Sequence, residues 1–595
     1  MIFSDFRKIW FIDFEYGQGD SGLPEPKCLV AKELHSKNVE QKCFGKAGAH
    51  DSIFDRDDPN SLIVSFYAPA ELSCFLALDW KFPRFILDLF VEFRNLTNGL
   101  KLPSGNSLIG ALSYFDLPHL DSADKTSMRD LALRGGDYTK SEREALLVYC
   151  QSDVEATEAL FNKMRDLIDL DRSLIRGEYM KSVAEIEKTG IPLDHQKFKD
   201  LKHHWEEIQE VLIKRIDSRY GVFEGRRFKR DRFERYLNFH NIQWPRHDSG
   251  VIDLSDETFR KMAKIHPMLN PLRELRNSLS KMRLSEFSVG RDGRSRAMLS
   301  PFRSKTGRNQ PSSKRFIFNS SAWIRSLIKP HQDKALAYID WSQQEFGIAA
   351  ALSKDEKMMQ AYQSGDPYLE FAKLARQIPL GATKKTHQKE RSLFKATVLA
   401  VQYGMGANSL AQNTSLPLEE AKHLLNLHKR TFKTFWEWSE GCVHYALLKR
   451  RIWTTFGWNL RLSGEINPRS LANFPMQANG SEMLRLALIL MSREKIDVCA
   501  PVHDAVLVEA SLREIDEVVE LSKDLMAKAS RIVLGGFELK SEANVIRFPN
   551  KFEDSERGVE FWEEVNSILN EIRANELSLK NEPQALQNSD TDSSI

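Results

Sequence analysis

Over the first 170 residues, short apolar runs alternate with helical stretches. Ile9–Phe14, Ser61–Tyr67 and Phe85–Phe90 read as strands, and Ser141–Leu160 repeats its apolar positions at helical spacing. That alternation predicts an α/β domain. From about Leu170 to Phe287 the pattern changes to long amphipathic helix heavy with charge, with Asp194–Asp217 read as one continuous helix. Beyond Gly290, strands, loops and helices mix. Ala335–Asp340 is an apolar run that ends in a carboxylate, and Val498–Val502 and Val506–Val508 predict a tight hairpin with His503 and Asp504 at its turn. The stretch from Glu576 onward is polar and free of aromatic residues, so a disordered tail is expected there.

Length changes this picture by requiring more than one core: 595 residues imply several domains or subdomains. No apolar run reaches the ~18–20 residues of a membrane span, and the first residues lack a signal-peptide pattern. The six cysteines form no CxxC pair, which predicts free thiols, a reducing cytoplasmic setting and no cysteine zinc site. The formal net charge is only +2, so contacts with nucleic acid must come from local patches. Gly225–Arg235 and Phe302–Arg315 are two basic runs of that kind.

The chemistry lies in residue pairs far apart in sequence. Asp340 and Asp504 each sit at the end of an apolar strand, rigidly held and open to a cleft. Two carboxylates brought together repel unless cations bridge them, so the pair implies divalent metal. Between them, Arg391, Lys395, Leu399 and Tyr403 recur at four-residue steps. Each step drifts only about 40° around a helix, so they form one stripe. Its cations suit a triphosphate, and Gly404 at its end leaves room for a base pair. Near the amino terminus, Asp13 and Glu15 share one face of a strand, and Tyr149 and Asp153 share one face of a helix.

These motifs, in this order, resemble a family A DNA polymerase, the class of bacterial DNA polymerase I. Asp340 to Glu345 matches its motif A, Arg391 through Tyr403-Gly404 its motif B, and His503-Asp504-Ala505 its motif C. Thr306-Gly307-Arg308, Ile324-Arg325 and Arg469-x3-Asn473-x2-Met476-Gln477 match further family positions. The resemblance implies a right hand of palm, fingers and thumb, with two Mg²⁺ (Mn²⁺ as a substitute) held by Asp340 and Asp504. It implies nucleotide contacts from Arg391, Lys395, Leu399, Tyr403, Tyr368, Arg325 and His503, and DNA contacts from Arg308, Arg469, Asn473, Gln477 and Gly404. Glu345 matches the steric gate that crowds the sugar 2′ position. Three positions depart from the family: Ala505 replaces a common Glu, Leu399 a usual aromatic, and Asp366-Pro367-Tyr368 an Asp-x-His.

The amino-terminal segment resembles the DEDDy 3′–5′ exonuclease that precedes the polymerase in this family. Asp13, Glu15, Glu71, Tyr149 and Asp153 would form its site, with Asp13, Glu15 and Asp153 on two metals; Glu71 stands where Asp is usual, and Asp88 is expected to be structural. The nuclease pattern starts close to Met1, as in phage replicative enzymes. The expected architecture is therefore an α/β multidomain chain. It comprises an RNase H-like nuclease (1–170), a helical thumb (171–299), palm (300–365 and 441–575), fingers (366–440) and tail (576–595). The expected partners are primer–template DNA and deoxynucleoside triphosphates, with no membrane, and the chain is expected to be a monomer. A stand-alone nuclease and a single-subunit RNA polymerase are the rival readings.

Overall fold

Strand Lys8–Gln18 (β1) is the centre of the first sheet in the computed structural model of this chain. The structure describes residues 1–581 apart from 20–21, 46–50, 119–121, 135, 137, 282–283, 285–286, 288, 403, 415 and 555–557. β1 pairs antiparallel with Pro24–Glu33 (β2), which carries Val39–Cys43 (β3) at the edge. On its other side β1 runs parallel to Ser61–Ser65 (β4), which in turn pairs with Phe85–Asp88 (β5). The strand expected over Ser61–Tyr67 stops early because Tyr67 turns left-handed (φ 77°) to start helix Ala68–Ala77 (α1). Asp88 starts Leu89–Thr97 (α2), and Lys140–Met164 (α3) packs on β1 and β2.

The protein divides into two compact units. The first holds residues 1–190, 298–310 and 335–545. Helix Leu170–Thr189, expected in the helical region, belongs to this first unit. Gly177 explains why: a Cβ there would lie 1.9 Å from the Ile86 carbonyl oxygen, so only glycine lets the helix backbone close onto β5. The buried Arg176–Glu92 ion pair, at 2.6 Å, ties the same helix to α2.

The first unit also contains a second sheet. Its members are Lys334–Trp341 (β6), Asp497–Val502 (β7), Ala505–Ser511 (β8) and Ser541–Arg547 (β9), in the order β7-β8-β6-β9. Around it stand Gln344–Ser353 (α4), Pro367–Leu374 (α5), Gln388–Gln402 (α6) and Pro468–Arg493 (α7).

The second unit comprises residues 191–297, 311–334 and 546–595. The single helix expected over Asp194–Asp217 is two, His195–His203 and Trp205–Asp217, bent at His204. The bend buries the adjacent residues His204 and Trp205 together, whereas a straight helix would point them ~100° apart. Trp205 stacks on Trp323 at 5.9 Å. The basic run at Gly225–Arg235 is largely neutralised. Arg226 pairs with Glu206 and Glu210, Lys229 and Arg232 with Glu224, and Arg235 with Asp231. The tail expected from Glu576 begins as helix, since Val559–Asn581 runs through it; 582–595 lie outside the described residues. Among the described residues no helix is long and apolar enough to cross a membrane, and all six cysteines are free thiols.

Candidate active site

β6 is buried along most of its length and ends with Asp340 half-buried and Trp341 in the core. β7 and β8 pair Val502 with Ala505, leaving His503 and Asp504 as a two-residue turn, with His503 at φ 58°. The Trp341 N–H donates to the Asp504 carbonyl at 3.4 Å, which sets Asp504 beside the end of β6. Burial, then Asp504, then Glu542 push the Asp340 carboxyl up to about 6. Burial likewise raises Asp504, offset in part by His503 and Arg308. Glu345, on the first turn of α4, is raised by burial and eased by Arg308, whose guanidinium is 3.9 Å away. Desolvated carboxylates that repel one another form a natural cation cradle.

Glu542 carries no signal in the sequence pattern. The Ser342 N–H donates to the Lys540 carbonyl at 2.9 Å, and the Phe548 N–H to the Lys334 carbonyl at 3.3 Å. These bonds fix an antiparallel register in which Glu542 of β9 faces Asp340 of β6. The Ser342 hydroxyl donates to Glu542 at 2.9 Å. A single glutamate near the end of the chain looks like any solvated acid, and only strand pairing brings it to Asp340.

The cationic stripe has the expected faces on α6. Phe394, Thr397 and Val398 are buried, while Arg391, Lys395 and Leu399 keep accessible surface. Tyr368 of α5 is 6% exposed and lies under both cations, 5.6 Å from the Arg391 guanidinium and 5.9 Å from the Lys395 ammonium. Arg391 is also bound through Nε to the carboxylate of Asp366, which at the same time caps α5 at the Leu369 N–H. The Asp-Pro-Tyr departure thus forms an aromatic platform with an anionic clasp. Tyr403 lies outside the described residues.

Gly404 adopts φ 64°, and a Cβ there would lie 3.2 Å from the Arg469 Cβ. It therefore brings the end of the stripe against α7, whose Arg469, Asn473 and Gln477 recur every fourth residue with accessible surface. Met476, within the same motif, is buried at 3% exposure and belongs to the core. Arg325 lies in the second unit, held by Asp554 at 2.7 Å and by the Phe318 carbonyl at 2.8 Å.

A family model described as DNA polymerase family A matches residues 251–545, the span that carries Asp340, Asp504, Glu345, Glu542 and the cationic stripe. The chain carries a family A DNA polymerase domain. DNA polymerase I of Aquifex aeolicus (strain VF5) is 24% identical over 442 residues, covering 66% of this chain and 73% of the relative. A thermostable DNA polymerase I of Thermus thermophilus is 25% identical over 379 residues, covering 58% of this chain and 44% of the relative. The Thermus aquaticus enzyme is 24% identical over 488 residues, covering 75% of this chain. This chain spans about half the length of both Thermus relatives, 44% and 56%. The POL domain of Pol1 from M. smegmatis, solved in complex with DNA primer-template and dNTP, shares the fold. Its TM-score is 0.70 at 16% identity, covering 90% of this chain and 95% of that one.

A second cluster precedes the family A domain. Asp13 and Glu15 sit on one face of β1, between the buried Phe11, Ile12 and Phe14. Glu71 of α1 is 4% exposed, and burial first, then Asp13, raise its carboxyl well above the usual range. Among the described residues its buried Oε2 has no hydrogen-bond partner. Tyr149 of α3 is raised by burial and by the nearby Asp153, Glu15 and Asp13. All five residues named from sequence therefore meet. Asp88 has another job: it accepts N–H bonds from Tyr67, Ala68, Phe90 and Val91, holding the starts of α1 and α2.

Proposed function

We propose that this chain is a DNA-directed DNA polymerase that extends a primer on a template with deoxynucleoside triphosphates and edits 3′ ends in its amino-terminal domain. The observation that carries the first half is the adjacency of Asp340 and Asp504, enforced by the Trp341–Asp504 backbone bond, inside a family A domain. β6 to β9 serve as the palm, α5 and α6 as fingers, and the helices of 191–297 as the thumb.

The donor set fits hard divalent cations: Asp340, Asp504 and Glu542 present carboxylate oxygens with no thiolate or imidazole in the cradle apart from His503 at the turn. Mg²⁺, or Mn²⁺ in its place, would supply charge neutralisation of the phosphates and a lowered pKa for the primer hydroxyl. Glu542 occupies the role that Ala505 leaves open. Arg391 and Lys395 receive the triphosphate, and the Tyr368 ring supports both cations at 5.6 and 5.9 Å. The Asp366 clasp keeps Arg391 ordered before nucleotide arrives, so less side-chain entropy is lost on binding. Glu345, backed by Arg308, crowds the sugar and selects deoxyribose. Arg469, Asn473 and Gln477 line one helix face toward the nascent pair.

The editing site is supported by five functional groups converging on the central strand of a mixed sheet ordered β3-β2-β1-β4-β5, an RNase H-like order. The partnerless Glu71 Oε2 suits a group awaiting a cation. Primer extension and 3′ degradation on one substrate test both halves. Asp340→Ala or Asp504→Ala should abolish extension and leave degradation of single strands. Loss of both together would overturn the two-site reading.

A further inference from the structure

In the second unit, the bend between helices His195–His203 and Trp205–Asp217 creates a cluster with metal-ligand chemistry. His203 and His204 are adjacent in sequence, yet their rings meet edge-to-face, 4.6 Å between centroids. Helix Val559–Asn581 packs on Trp205–Asp217 and brings Glu576 to the same place, its carboxylate 3.8 Å from His204 Nε2. One ligand atom from each of His203, His204 and Glu576 lies within 4.8 Å of the others.

The His204 ring is oriented for this role. Its side chain is 6% exposed, and its buried Nδ1 has no hydrogen-bond partner among the described residues. Nδ1 faces the Glu207 carboxylate at 3.8 Å, and Nε2 faces Glu576. With the proton on Nδ1 toward Glu207, the Nε2 lone pair points at Glu576, the arrangement that orients metal-ligating histidines. In that tautomer the 3.8 Å space between Nε2 and the Glu576 carboxylate is a place for a cation. The nearby cation Arg573 does not fill that place, because it is paired with Asp200 at 2.8 Å. The same pair clamps the two helices in position.

We propose that His203, His204 and Glu576 form a binding site for a borderline divalent cation of the zinc class, oriented by Glu207. Two imidazoles and one carboxylate are the ligand set such ions take, with a fourth position left to water. The ion would staple the carboxyl-terminal helix to the helical bend. The inference is independent of the polymerase reading, since none of the four residues belongs to either carboxylate site.

Co²⁺ is the probe, added to the full chain in excess Mg²⁺ so that the hard carboxylate sites are occupied. One equivalent should bind with visible d–d absorption of a four-coordinate imidazole site, and the melting temperature should rise. His203→Gln and Glu576→Gln, both at exposed positions, should remove the band while leaving primer extension unchanged; Glu207→Gln should weaken Co²⁺ about 10–100-fold. Absence of the band in the wild-type chain, or a band unaltered by His203→Gln and Glu576→Gln, would overturn the site. A His204 resonance that titrates identically with and without Co²⁺ would instead make it a protonated ion-pair histidine.

Discussion

Asp340 and Glu542 face each other across the antiparallel pair β6–β9, with the Ser342 hydroxyl bonded to Glu542 at 2.9 Å. Like charges opposite each other in a sheet are destabilising, so the arrangement implies a compensating cation. Glu542→Gln should therefore raise the Mg²⁺ concentration for half-maximal extension and lower kcat about tenfold or more, ~1.4 kcal/mol of barrier. Mn²⁺ affinity by electron paramagnetic resonance should fall in parallel. Unchanged Mn²⁺ binding would reduce Glu542 to a strand-pairing residue.

The Asp340 carboxyl, lifted from 3.8 to about 6, predicts two pH dependences. Extension should rise as pH passes through about 6, because only the ionised group holds the cation. In the metal-free protein the folded state keeps a proton that the unfolded chain has already released between these values. Stability from this group is thus fully present below 3.8 and is lost as pH rises through about 6. Thermal melts in chelator should show that decline, and Asp340→Asn should make it shallower, with the raised Asp88 and Glu187 carboxyls supplying the rest.

On the proposed function Arg391, bound to the Asp366 carboxylate, also receives the incoming triphosphate. Arg391→Ala should lower kcat/KM for nucleotide about 100-fold, ~2.7 kcal/mol. Asp366→Asn keeps the α5 cap but removes the clasp that orders Arg391, so KM should rise several-fold. A fall in KM would show that Asp366 competes with the nucleotide for the guanidinium.

Replacing Glu345 with Ala should admit ribonucleotides, because a carboxylate beside the sugar collides with a 2′ hydroxyl. Discrimination, read as the ratio of kcat/KM for deoxy- over ribonucleotide, should drop about 10²-fold, ~2.7 kcal/mol. If Leu399 packs on the sugar, the larger ring of Leu399→Phe should tighten the pocket and raise the ratio.

The carboxylates of the amino-terminal segment should fall into two groups. Asp13→Ala with Glu15→Ala, or Glu71→Gln, should remove 3′ degradation with extension intact. Asp88→Ala should instead cost about 1–3 kcal/mol of stability, since it strips acceptors from buried N–H groups at two helix starts. Denaturant midpoints and 3′ degradation of labelled DNA separate the two.

Sequence by itself determined the elements that depend on local chemistry. The apolar run of β6, the two-residue turn at His503-Asp504 and the Arg391, Lys395 and Leu399 steps of the stripe on α6 follow from periodicity and turn propensity, and these formed as expected. The pairs Asp13/Glu15 and Tyr149/Asp153 were legible for the same reason, since strand and helix geometry fixes which neighbours share a face. What only the tertiary structure decided are relationships between segments with no local trace. Glu542 reaches Asp340 through strand register, Tyr368 reaches two cations through helix packing, and Met476 turns inward from an otherwise open motif. The break at His204 belongs with these, because burying two adjacent side chains is a demand of the surrounding core that helical periodicity cannot express.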